Sequence, residues 1–269
     1  MNVLVVTPTY NEKDNLPLLA AGVLQHEGFR LLVVDDGSPD GTGAIADRLA
    51  QEYPGRVEVM HRTGPRGLGR SYIDGLRHAI DEGRADFICQ MDCDLSHGPE
   101  YLPDMVRAGA AHDLVIGSRY MNGGVSVVNW PLSRIFLSAF ANRYIRLVTG
   151  LSPSDCTSGF RCWRREALAQ LPIAAMVSDG YSFLTEMLYE AKRRRFRIGE
   201  VPIIFVERRI GQSKLSSGVL LESLIMPWRL LLSRAVAPAA AGASRERSGD
   251  HGGSASERAG GPGGAQPHG

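Results

Sequence analysis

Phe87-Ile88-Cys89-Gln90-Met91-Asp92-Cys93-Asp94 is a short, mostly apolar run that breaks on two aspartates. An apolar run of about four to eight residues, bounded by polar ones, reads as a buried strand. The same pattern occurs on both sides of it. Val3 to Thr7 closes on Pro8, and Leu31 to Val34 ends at Asp35, Asp36 and Gly37. Val57 to Met60 and Leu114 to Ser118 read likewise, the latter followed by Arg119. Helical segments lie between them: Asn15 to Gln25 with Leu16, Leu19 and Val23 on one side, a segment capped by Asp40 and running to Glu52, Arg70 to Glu82, and Pro99 to Ala110. Strands alternating with such helices predict an α/β fold, a Rossmann-like, mostly parallel sheet flanked by helices. Ligands of such sheets sit at the carboxyl ends of the strands. Those ends carry Pro8 to Glu12, Asp35 and Asp36, Asp92 to Asp94, and Arg119.

Beyond Arg119 the pattern changes. Met121 to Asn129 reads as a loop, and Pro131 to Val148 as an apolar helix interrupted by Arg134, Arg143 and Arg146. Val201 to Val206 reads as a further strand. Gly218 to Ser233 is apolar but broken by Glu222, Pro227 and Arg229, which suits a helix lying in a membrane interface or docked on the domain. From Ala237 onward no Val, Ile, Leu, Met, Phe, Tyr or Trp occurs, so that tail is expected to be disordered. The expected organisation is a catalytic domain over 1–214, an amphipathic helix over 215–236 and a low-complexity tail over 237–269.

With 269 residues, 43% of them hydrophobic, the chain is able to bury a sizeable core. A formal net charge of +1 gives no reason to expect nucleic acid as a partner. Cys89, Cys93, Cys156 and Cys162 form no CxxC pair and read as reduced thiols of a cytoplasmic protein. No basic leader precedes the first apolar segment, and no uninterrupted apolar stretch reaches the roughly 18 to 20 residues of a membrane span, so neither a signal peptide nor a spanning helix is expected.

The chemistry centres on Asp92 and Asp94. Two carboxylates one residue apart, where a strand leaves pleated geometry, are able to turn toward one hard cation such as Mg2+ or Mn2+. A cation there would offset charge on a diphosphate leaving group. Tyr10 is placed to stack on a base, and Glu12 and Asp36 to accept hydrogen bonds from a base and a ribose. Asp40 reads rather as a turn or cap residue.

Pro8-Thr9-Tyr10-Asn11-Glu12, Val34 to Thr42 (V-D-D-G-S-P-D-G-T), the Gly67-Leu68-Gly69 turn, Met91 to His97 (M-D-C-D-L-S-H) and Gly117 to Tyr120 (G-S-R-Y) together resemble family 2 glycosyltransferases of the GT-A fold. Within that family they resemble dolichol- or polyprenol-phosphate mannose synthases, over roughly Asn2 to Lys214. The resemblance implies that Pro8, Tyr10, Glu12, Val34 and Asp36 hold the nucleotide. It also implies that Asp92 and Asp94 hold the metal, with Cys93 lending backbone contacts. Some relatives carry Gln where this chain has Ser96. Arg119, Arg208 and Lys214 are implied to contact donor phosphates; Arg134 and Ser138, four apart on one helical face, join Arg119 as candidates for the acceptor phosphate. Asp155 to Arg161 is implied to shape the sugar and acceptor pocket. The implied reaction is inverting, metal-assisted transfer of mannose from GDP-mannose to polyprenyl or dolichyl phosphate, with Asp94 and Arg119 as catalytic residues. The acceptor implies peripheral attachment to the inner face of the cytoplasmic membrane, with room for a separate membrane-spanning subunit.

The alternative within the family is a polyprenyl-phosphate glucosyltransferase using UDP- or GDP-glucose, and outside it a noncatalytic nucleotide-sugar-binding subunit. A haloacid-dehalogenase-type phosphatase fits less well, since its D-x-D closes the first strand and not the fourth. A dinucleotide oxidoreductase is disfavoured because no G-x-G-x-x-G follows the first strand.

Overall fold

The computed structural model describes residues 1–121, 124–176, 181–207 and 217–233. Arg208, Lys214 and the segment 237–269 lie outside the described residues. Five apolar runs form the expected strands: β1 Val3–Thr9, β2 Phe29–Asp35, β3 Val57–His61, β4 Phe87–Gln90 and β5 Leu114–Ser118. Helices α1 Leu16–Leu24, α2 Thr42–Glu52, α3 Leu68–Asp81 and α4 Leu102–Gly109 connect them. The remainder comprises β6 Val127–Val128, α5 Leu132–Thr149, β7 Arg161–Arg164, α6 Arg165–Leu168, α7 Tyr181–Arg193, β8 Ile198–Pro202, β9 Phe205–Val206 and α8 Ser217–Ser233.

Seven strands form one sheet in the order β3-β2-β1-β4-β7-β5-β8, and β6 pairs with β9 separately. All neighbours in the large sheet run parallel except β7, which is antiparallel to both β4 and β5. Successive side chains of a strand point to opposite faces, so β1 supplies two cores at once. Val3 and Val5 join Leu31, Val33 and Leu19 on one face, while Leu4 and Val6 join Leu32, Val34 and Leu76 of α3 on the other. Burial on both faces is why these runs are continuously apolar rather than alternating.

Helix α3 lies unusually close to the sheet. A Cβ on Gly75 would stand 2.7 Å from Val6 Cγ1 and 2.8 Å from Val34 Cγ2. That approach fixes the depth of every α3 side chain facing the strands.

Among the described residues the structure departs from the sequence reading in several places, and β6 lies within the expected Met121 to Asn129 loop. Strand β7 was not expected, because Arg-Cys-Trp-Arg lacks a strand's apolar signature. The segment from Pro99 starts as a 3-10 turn, Pro99–Tyr101, before α4. The Val201 to Val206 run divides between the end of β8 and β9, in different sheets. The cap position of α2 is Gly41 (φ 94°) rather than Asp40; Asp40 supports the same turn, its Oδ1 accepting the Thr42 N–H at 3.0 Å and the Thr42 hydroxyl at 2.6 Å.

Candidate active site

Register brings the strand exits to one edge. Thr9 is level with Asp35 and Val6 with Gln90, so the segments following β1, β2 and β4 leave side by side. Arg161 on β7 pairs with Gln90 on one side and Ile116 on the other, which carries Arg119, beyond β5, to the same edge.

At the centre, Asp92 is half-buried and Asp94 buried. Each is gripped by a hydroxyl. The Tyr72 phenol donates to Asp92 Oδ1 at 3.0 Å. The Ser96 hydroxyl and N–H donate to Asp94 Oδ1 at 2.5 and 3.0 Å. Leu95 turns the chain so that Ser96 meets Asp94, and it does so in the left-handed region (φ 60°), which side-chain-bearing residues seldom adopt. Ser96 thus orients Asp94. Cys93 between the acids is buried, and burial first, then Glu12 and the two aspartates, pushes its thiol well up. It stays a neutral thiol.

On the β1–β2 side, Asp35 accepts hydrogen bonds from the hydroxyls of Thr9 (3.2 Å) and Ser38 (2.5 Å). Asp36 pairs with Arg62 and accepts the Gly67 N–H at 2.9 Å, so it ties the Gly67 turn to the strand exit. Glu12 accepts the Asn15 amide at 2.7 Å. The Val34 side chain is buried beneath Gly75, so any contact it offers a ligand is through its backbone; Pro8 is its register partner. Tyr10 carries Arg66, whose guanidinium stands 4.8 Å from the ring centroid and donates to the phenol oxygen at 2.6 Å.

The opposite wall is cationic and aromatic. Arg119 holds Asp155 through two side-chain bonds of 2.7 and 2.8 Å and reaches Thr157 at 2.8 Å. Burial raises the Asp155 carboxyl, but Arg119 outweighs it and holds the group below its ordinary 3.8. Arg134 pairs with Glu207 and lies 4.2 Å from the Trp130 ring centroid, while Arg119 lies 5.6 Å from the same ring. Ser138 accepts the Tyr120 hydroxyl at 2.6 Å, which fastens α5 to the strand exit. His97 stacks on Phe160 (5.2 Å) and meets Phe205 edge-on (5.4 Å). Its Nδ1 and the Trp130 Nε1 are buried without a hydrogen-bond partner.

Residues 4–171 match the model of the family described as Glycosyl transferase family 2. The chain belongs to that family. It is 46% identical over 226 residues to a polyprenol monophosphomannose synthase of Mycolicibacterium smegmatis, across 82% of this chain and 83% of that one. It is 44% identical over 229 residues to an undecaprenyl-phosphate mannosyltransferase of Micrococcus luteus, across 84% and 92% of the two chains. Among solved structures, glucosyl-3-phosphoglycerate synthase of Mycobacterium tuberculosis, crystallised with Mn2+, UDP and glucosyl-3-phosphoglycerate, aligns with a TM-score of 0.60 at 19% identity, over 88% of this chain and 81% of that one. That likeness is one of fold, and it supports the GT-A architecture.

In this glycosyltransferase the donor set at the β4 exit fits a hard divalent cation. Two carboxylates are held by neutral donors, and the buried His97 Nδ1, electrostatically close to both, lacks a partner. A second acid–histidine group, Glu58, His78 and Glu82, is also close enough to share an ion. It is already supplied with cations: Arg30 binds Glu58 at 2.8 Å and Glu82 at 2.5 Å, and Arg84 binds both.

Sequence reasoning overlooked Tyr72, Arg62, Arg66 and Trp130, and gave His97 and Asp155 no individual role. Arg66 directly precedes the Gly67-Leu68-Gly69 turn, and His97 ends the aspartate motif, so position gave a hint for both. Nothing in spacing pointed to Tyr72.

Proposed function

We propose that this glycosyltransferase moves mannose from GDP-mannose to the phosphate of a polyprenyl lipid. Residues 1–214 are read as the catalytic unit and 215–236 as an interfacial helix. Pro8, Tyr10, Glu12, Val34 and Asp36 serve the nucleotide. Asp92 and Asp94, with the Cys93 backbone between them, hold Mg2+ or Mn2+, which supplies charge neutralisation on the departing diphosphate. Arg119, with Arg208 and Lys214, serves the donor phosphates, and Arg119, Arg134 and Ser138 serve the acceptor phosphate.

The acceptor chemistry suits this residue set. A phosphate monoester has a second pKa of about 6, so at neutral pH its oxygen attacks without a general base. The side chains then have to align two phosphorylated molecules and hold their charge. Arg119 is braced for that by Asp155, and Arg134 by the Trp130 face.

The observation that carries the lipid assignment is the placement of Arg134 on a helix whose outer stripe is apolar. Leu132, Phe136, Phe140 and Leu147 are 72%, 72%, 61% and 73% exposed. Exposed Leu224, Trp228 and Leu232 of α8 extend the patch, and α8 is tied to α5 by the Trp228 Nε1–Tyr144 hydroxyl bond of 2.9 Å. No helix among the described residues is long and apolar enough to cross a membrane. The patch fits peripheral attachment to the inner, cytoplasmic leaflet, with exposed Arg143 and Arg146 suited to anionic headgroups. A membrane-spanning partner subunit is compatible with this arrangement. The two mannosyltransferase relatives support the sugar and acceptor.

The test is transfer of radiolabel from GDP-mannose into the organic phase with polyprenyl phosphate present, in competition with GDP-glucose and UDP-glucose. Asp94→Ala is expected to abolish the organic-phase label. Label appearing only as free mannose, or full activity of Asp94→Ala, refutes the proposal; stronger competition by a glucose donor reassigns the sugar.

A further inference from the structure

Tyr72 is wholly buried on α3, twenty residues before Asp92 in sequence, and its ring stacks on Phe183 (6.4 Å between centroids, 12° between planes). A phenylalanine would fill this apolar position, so the hydroxyl needs its own explanation. Its hydrogen bond to Asp92 Oδ1, 3.0 Å long, is that explanation. Neither ring nor hydroxyl has freedom to drift, because the Gly75 contact with Val6 and Val34 seats α3 directly on the strands.

A second buried group stands behind the pair. Arg161 is fully buried, and its guanidinium donates to the carbonyls of Ser158 (3.0 Å), Leu184 (2.6 Å) and Cys156 (3.3 Å). Its positive charge acts on the Tyr72 phenol. The carboxylate is thus met by an O–H fixed within the core.

We infer that Tyr72 is a positioning residue for the metal: it donates to Asp92 from within the core and sets the carboxylate orientation in which that aspartate receives the ion. This rests on the reading of Asp92 as a metal ligand. An outer partner that orients a ligating side chain typically accounts for 10- to 100-fold in metal affinity.

The test is Mn2+ binding by electron paramagnetic resonance, with GDP present, to the full chain and its variants. Tyr72→Phe keeps the ring and removes the donor. Its Mn2+ affinity is expected to fall about tenfold or more, while GDP affinity without metal stays unchanged. In an Asp92→Asn background the same substitution should have no further effect on Mn2+. Phe183→Leu perturbs the same core without touching the hydroxyl and should leave Mn2+ affinity unaltered. Unchanged Mn2+ affinity in Tyr72→Phe overturns the inference, as does an equal loss in Phe183→Leu. Failure of the wild-type protein to bind Mn2+, or wild-type affinity in Asp92→Asn, instead removes the metal reading beneath it.

Discussion

Arg119 grips Asp155 from three directions: its backbone N–H at 3.1 Å and its Nε at 2.7 Å both reach Oδ2, and its terminal nitrogen reaches Oδ1 at 2.8 Å. The aspartate is completely buried and the arginine nearly so. A planar guanidinium matched to both carboxylate oxygens is held in one orientation, a property lysine cannot reproduce. The pair fixes a cation at the β5 exit.

Asp155→Asn should therefore strand a buried charge. The expected cost is about 3–5 kcal/mol of stability, since one member of a buried pair is removed. Urea denaturation reads this directly. Transfer activity should fall with it, and Arg119→Lys should lose activity as well because the two-point grip is gone. Native stability in Asp155→Asn contradicts the account.

His97 gives a pH dependence. Burial holds its imidazole below the ordinary 6.5, although Asp92 and Asp94 pull the other way. The unfolded chain takes up a proton near its ordinary pKa and the folded chain only at lower pH, so this contribution is present above about 6.5 and is lost as pH falls below it. Between pH 7.5 and 5.5 the wild-type protein should lose up to about 1.4 kcal/mol more than His97→Phe. Comparing the two melts cancels the other histidines. Parallel pH profiles would show that His97 is not the group responsible.

The stripe on α5 predicts vesicle binding. Burying one phenylalanine is worth roughly 1.5–3 kcal/mol, so Phe136→Glu with Phe140→Glu should reduce partitioning onto anionic phospholipid vesicles by more than tenfold. Both side chains are solvent-facing, so the fold should persist. Co-sedimentation is the measurement, and undiminished binding would place the membrane surface elsewhere.

Gly75→Ala tests how tightly α3 is seated. Its methyl would meet buried β-branched residues of two strands, and overpacking of that kind costs roughly 1–3 kcal/mol. Wild-type stability in this variant would mean that the helix is able to lift without penalty.

Much of the fold follows from local pattern. Continuous apolar runs such as Leu31 to Val34 are strands because both faces of the sheet are covered, and the acids closing them mark the edge where ligands gather. The Asp92–Asp94 pair was legible for the same reason, as two like charges just beyond a buried run. Strand β7 was not. Arg161 and Arg164 give it a polar signature, and only the assembled core supplies the carbonyls of Ser158, Leu184 and Cys156 that make a buried Arg161 tolerable.

What the sequence determined by itself was which residue types stand at the strand ends, because period and side-chain chemistry are properties of neighbours along the chain. Only the tertiary structure decided who holds them. Tyr72 meets Asp92 across 20 residues and Arg119 meets Asp155 across 36. Such partners are chosen by how deeply a helix seats on the sheet and by where an antiparallel strand inserts, and both depend on packing between segments far apart in sequence.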